Sequence, residues 1–135
     1  MPAIVRSNFD TDSVPDLLEQ LQESGIHWIA AAIEKSFNNA NLADCEAALI
    51  AIEIAAAILG KPAHDLPAVA SEWIRLHAAQ GSDIYTTVDS MREKAADSID
   101  LITADSELRD FWEDAADFES WIAAQINLQN RILGD

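Results

Sequence analysis

Only one cysteine, Cys45, occurs in the 135 residues, so no disulfide can close within the chain. That suits a reducing compartment. Glycine and proline are scarce, at four each. This leaves little material for glycine-rich loops that approach a nucleotide, and it fits helices joined by short links. Basic residues are few: eight Lys and Arg stand against 24 Asp and Glu, a formal net charge of −16. Such a balance repels nucleic-acid backbones and anionic membrane surfaces and favours basic protein partners. No apolar run reaches the roughly 20 residues that span a bilayer. The longest candidate carries Glu53 near its middle. The opening stretch MPAIVRSNFD lacks the basic-then-apolar layout of a signal peptide. The expectation is a cytoplasmic protein that binds neither membrane nor nucleic acid directly.

What is present is apolar and helical. Half of the chain is hydrophobic, ample for one core at a length where folding hides roughly two thirds of the chain's surface. The stretch from Leu42 to Leu59, LADCEAALIAIEIAAAIL, has Glu53 as its only charge after Glu46. A helix apolar on every face is normally buried on all sides. Asn41 can cap its start, and Gly60 followed by Pro62 stops it. The other helices are therefore expected to wrap this one. Cys45 falls in its first turn, where a helix dipole can lower a thiol pKa. A small buried hydrophobe is the plainer role.

Helical spacing predicts further elements. Ser13, with Asp16 three residues on, reads as a capping box for a helix over about 14–23, striped by Leu17, Leu18 and Leu21. Phe9 is a candidate anchor before it. A second helix over about 26–37 carries Trp28, Ile29, Ala32, Ile33 and Phe37, and Asn38 to Asn41 then have turn chemistry. A fourth runs from Pro67 to about Ala79, with Val69, Trp73, Ile74 and His77 near one face. A long fifth, about 83–102, has a seam of Ile84, Val88, Met91, Ala95, Ile99 and Ile102. A sixth covers about 107–115, capped by Asp105 or Ser106, with Leu108, Phe111 and Trp112 inward. The last covers about 118–133, with Phe118, Trp121, Ile122, Ile126 and Leu133 as its stripe. No alternating strand pattern, internal repeat or domain boundary is visible. The reading is all-α: a single domain over residues 1–135, a bundle of six or seven helices around Leu42–Leu59.

Catalytic signals are thin. There is no phosphate-cradling glycine loop, paired-cysteine zinc pattern or HExxH. His27, His64 and His77 are scattered, and the sequence points to no metal, cofactor or enzyme activity. Glu53 is the residue that most needs explaining, because burying a carboxylate is costly unless it is paired or protonated. The structural reading is an ion pair, with Arg75, Lys35 and Arg109 as candidate partners. The functional one is a ligand or metal carboxylate, with tryptophans such as Trp73 lining a pocket.

Asp89, Glu93, Asp97 and Asp100 form an acidic line along the fifth helix. It continues into Asp105, Glu107, Asp110, Glu113, Asp114, Asp117 and Glu119. Carboxylates on one helical face lie about 6 Å apart, comparable to the phosphate repeat of a nucleic-acid strand, about 3.4 Å along the axis and longer along the backbone. Such a surface can occupy a basic groove or mask a cationic toxin, or simply confer solubility. Arg92, Lys94 and Arg109 interrupt it. The leading expectation is a non-enzymatic inhibitor or immunity-type protein, with a nucleic-acid-acting or defence system as one candidate target. It would dock on a basic partner through Asp89, Glu93, Asp97, Asp100, Asp110, Glu113 and Asp114. The alternative is a small-molecule or metal-binding bundle using Glu53 and Trp73. Self-association as a homo-oligomer is a third reading.

Several stretches are similar to a known family. Asn8-Phe9-Asp10-Thr11-Asp12, followed by Asp16-Leu17-Leu18, resembles the opening of a bacterial family known only as domain of unknown function number 4259. There an aromatic and an acidic cluster precede the first helix. Ala55-Ala56-Ala57-Ile58-Leu59-Gly60 is similar too, as is Leu66-Pro67 leading to Trp73. Ser106-Glu107-Leu108-Arg109-Asp110-Phe111-Trp112 resembles the family's serine-glutamate-leucine motif with its tryptophan four residues on. The resemblance covers most of the chain. It departs at Val5-Arg6-Ser7-Asn8, where the family has a tryptophan and glycines. It implies a small helical domain and carries no activity or site.

Overall fold

The computed structural model describes residues 7–39 and 41–134. The chain's departure from the family pattern at Val5 and Arg6, and Ala40 of the asparagine-rich turn, lie outside the described residues. A 3-10 turn at Asn8–Asp10 precedes eight α-helices. They are α1 (Val14–Ser24), α2 (Ile26–Asn38), α3 (Leu42–Ile58), α4 (Ala68–His77), α5 (Asp83–Asp89), α6 (Arg92–Ala104), α7 (Glu107–Glu113) and α8 (Phe118–Leu133). The described residues contain no strand.

The apolar stretch is the axis of the fold. Every other helix and the 3-10 turn pack against α3, and α2 does so most extensively. From Ala48 to Ala56 not one residue of α3 is exposed. Burying a leucine or isoleucine side chain fully contributes about 1.5–3 kcal/mol, and Leu49, Ile50, Ile52 and Ile54 all qualify. Both ends are closed as expected. Asn41 Oδ1 accepts from the Asp44 amide at 2.8 Å. Glu107 adds a carboxylate to the Leu42 amide at 3.1 Å, tying α7 to the positive end of α3. At the other end Gly60 turns left-handed (φ 91°), and the Lys61 amide donates back to the Ala56 carbonyl at 2.9 Å.

Three expectations are corrected. The described residues form eight α-helices, because the long fifth helix is two. Its hydroxyls compete for backbone carbonyls: Thr86 and Thr87 donate to Ser82 and Asp83, and Ser90 donates to Thr87 at 2.6 Å. Such back-bonding offers the chain an alternative to the helical ladder, and α5 ends at Asp89 while its apolar seam continues along α6. The capping box at α1 is absent. Ser13 makes no side-chain cap, and its hydroxyl faces Thr11 and Glu46 instead. The stripe of α8 is rotated. Trp121, Gln125, Leu128 and Ile132 face inward, whereas Ile126 and Leu133 are exposed.

Gly25 joins α1 to α2 at a left-handed φ of 56°, and a Cβ there would lie 3.2 Å from the Trp73 ring. The position needs glycine both for its backbone and for the close approach of α4.

Candidate functional site

Glu53 lies between Ile52 and Ile54 and is 3% exposed. Its Oε1 stands 2.9 Å from Arg131 Nη2 in a buried ion pair. Its Oε2 accepts from Asn8 Nδ2 at 2.9 Å. Asn8 in turn exchanges amide hydrogen bonds with Gln125, donating at 3.0 Å and accepting at 2.8 Å. Arg131 is held from two more sides: its Nε donates to Asn127 Oδ1 at 2.7 Å and its Nη1 to the Lys61 carbonyl at 3.2 Å. One polar cluster thus joins the N-terminal turn, α3, the link after it and α8.

The electrostatics follow from burial. Desolvation is the largest influence on Glu53 and raises its pKa above the ordinary value. Arg131 and the Asn8 hydrogen bond pull it back, and Asp65 pushes it further up. The cluster forms one side of a cleft of about 490 Å³ between α8 and the link 60–67. His64, Asp65, Asn127 and Ser120 supply its other polar walls, and Pro62, Ala63, Ala123 and Ala124 its apolar ones. Asp65 Oδ1 is hidden from solvent without a hydrogen-bond partner among the described residues.

The partner of Glu53 was not among the basic residues expected. Arg75 bonds Glu72 on its own helix, Arg109 pairs with Glu113 and lies over Phe118, and Lys35 is exposed on α2. Arg131 is far along the chain, and its pairing is created by α8 packing on α3. Asn8 and Gln125 carried a fainter signal. Gln125 falls on the spacing of Trp121, Leu128 and Ile132, so a polar residue sits in an apolar stripe.

Trp73 does not join Glu53. It lines a separate cleft of about 420 Å³ with Gln22, Glu72 and His77. Trp112 and Trp121 stack at 6.4 Å beside a cavity of about 60 Å³ lined also by Asn8 and Glu46. His27, His64 and His77 are all exposed. No group of three or more His, Cys, Asp or Glu able to hold a metal ion occurs among the described residues. Cys45 is buried, and burial raises its thiol pKa despite a hydrogen bond with Ser106.

The expected docking residues Asp89, Glu93, Asp97, Asp100, Asp110, Glu113 and Asp114 are all exposed. They fall on three helices, with Asp114 at the C-cap of α7. Asp89, at the end of α5, bonds Arg92 at 2.7 Å, Asp100 accepts from Gln129 at 2.8 Å, and Glu113 pairs with Arg109 at 3.4 Å. Glu93, Asp97, Asp110 and Asp114 form no ion pair among the described residues. Phe111, expected inward, is 62% exposed among the acids of α7. That helix has only two turns, and Leu108 takes its buried position.

Among the described residues these features define a small all-helical domain with a buried ion pair beneath a cleft and an acidic outer face. The chain belongs to the family described as domain of unknown function (DUF4259), whose model matches residues 3–124. No curated protein and no solved structure matches it. No helix among the described residues is long and apolar enough to cross a membrane.

Proposed function

We propose that this protein is a non-enzymatic docking protein whose acidic α5–α7 surface binds a basic protein partner, as an inhibitor or immunity-type protein would. The observation that carries the reading is Phe111. A large aromatic ring stands in solvent on α7, accompanied by exposed Asp110, Glu113 and Asp114. Exposed aromatics are the residues that anchor interfaces, while surrounding charges steer the encounter and exclude wrong partners. Phe111 packs edge-on to Trp112 at 5.4 Å. Asp89, Glu93, Asp97 and Asp100 extend the negative field that a basic surface would meet.

The immobilised chain should retain a basic protein from its own cells, released by salt. Once that partner is purified, Phe111→Ala should weaken its binding by tenfold or more, about 1.4 kcal/mol or above. Neutralising Asp110, Glu113 and Asp114 together should slow association and flatten its salt dependence. A partner whose affinity ignores both variants sinks the reading.

A further inference from the structure

The outer face of α4 has no part in the docking surface. Val69 and Leu76 stand two turns apart on it, 44% and 59% exposed, with Glu72 between them. They border the groove of about 420 Å³, which buried Trp73 lines together with Gln22, Ala68 and His77. Large apolar side chains left in water around one groove mark a surface that associates. Charge singles out the same face. Residues 60–82 carry Lys61 and Arg75 against Asp65 and Glu72, hence no net charge, on a chain of −16. Among the described residues that line the groove, Glu72 is the one acid, and Arg75 bonds it at 3.1 Å. A basic partner meets no negative field here and is drawn to α5–α7 instead. An acidic one is repelled by most of the surface. A second copy of the chain meets neither difficulty when neutral face meets neutral face. The face also complements itself, since it offers both a protruding leucine and a groove, both an acid and a base.

We propose that two copies of the chain pair through α4 about a twofold axis, with the two helices antiparallel. Leu76 of each copy enters the other's groove beside Val69 and Trp73. Glu72 exchanges its own Arg75 for the partner's Arg75, and the axis repeats that contact in reverse. The exchange is easy, because an exposed pair within one helix is held weakly. One helical face lies at the small end of specific interfaces, below about 1,200 Å², so the dimer is reversible and depends on concentration.

Analytical ultracentrifugation of the full chain at physiological salt, over a concentration series reaching about 0.5 mM, tests this. A monomer–dimer equilibrium is expected within the series. Leu76→Asp should weaken it tenfold or more. Leu76 is exposed, so an unchanged melting curve will show that this variant folds. Ile126→Asp makes the same charge change at an exposed apolar site of α8 and should leave the dimer within twofold. Glu72→Arg and Arg75→Glu should each weaken it tenfold or more, because like charges then meet across the axis. An equal mixture of those two variants should recover pairing to within threefold, since each reversed charge now faces its opposite. A monomer throughout the series overturns the proposal. So does a dimer that survives Leu76→Asp, one that Ile126→Asp weakens as much, or a mixture no stronger than its components. The docking reading rests on α7 and survives each of these results.

Discussion

Two glutamates of this protein each sit beside an arginine, in opposite surroundings. Glu53 meets Arg131 at 2.9 Å, with side chains 4% and 15% exposed; Glu113 meets Arg109 at 3.4 Å, with 51% and 29%. At the surface, water screens the pair and side-chain entropy opposes it, so little stability results. In the core both partners have left water, and each is tolerable only because the other is there. The buried pair also recruits Asn8, Gln125 and Asn127, so it fixes where three segments meet. The exposed pair joins two residues of α7, and beyond that helix Arg109 meets the Phe118 ring at the start of α8. The same two residue types act as a structural lock in one place and as a solvated surface pair in the other.

The largest expected effect lies in breaking the buried pair from one side. Arg131→Ala should lower stability by about 3–5 kcal/mol, because Glu53 is left charged and unpaired in the core. Urea denaturation measures this. Replacing both partners by methionine should recover most of the loss, since a well-packed apolar pair can match a buried ionic one. A double variant as unstable as the single one would mean that Glu53 and Arg131 are not coupled.

A smaller effect should appear with pH. The folded pKa of Glu53 is raised above its ordinary value of 4.5. Its contribution is therefore fully present below about pH 4.5 and is lost as pH rises through the folded pKa. Glu53→Gln removes that dependence. The variant should gain on the wild type as pH climbs from about 4.5 towards neutrality, in denaturation midpoints taken at each pH. Parallel curves would show that Glu53 titrates as it does in the unfolded chain.

The smallest effect belongs to the surface. Arg109→Ala or Glu113→Gln should each change stability by less than about 1 kcal/mol, and less still in high salt. A larger loss would erase the contrast between the two pairs.

How far these regions could be read in advance differs for a physical reason. Asn41, the unbroken apolar run and Gly60 are local instructions, and α3 follows them. The acids of α6 and α7 are exposed because nothing in their neighbourhood favours burying them. The break after Asp89 was missed because an apolar seam at helical spacing can continue across two helices. Phe111 lies outward because Leu108 and Trp112 take the inward face of α7. On α8, Gln125 outranks Ile126 for an inward position, since it completes a hydrogen-bonded pair with Asn8.

Composition and spacing settled that the chain is helical, that α3 is its hidden axis and that its outside is negative, since these depend on residues near one another in the chain. Tertiary structure alone chose Arg131 for Glu53, brought Asn8 to Gln125, parted Trp73 from Glu53 and opened the cleft above the pair. A buried charge takes whichever partner packing delivers, and packing joins segments that local pattern cannot relate.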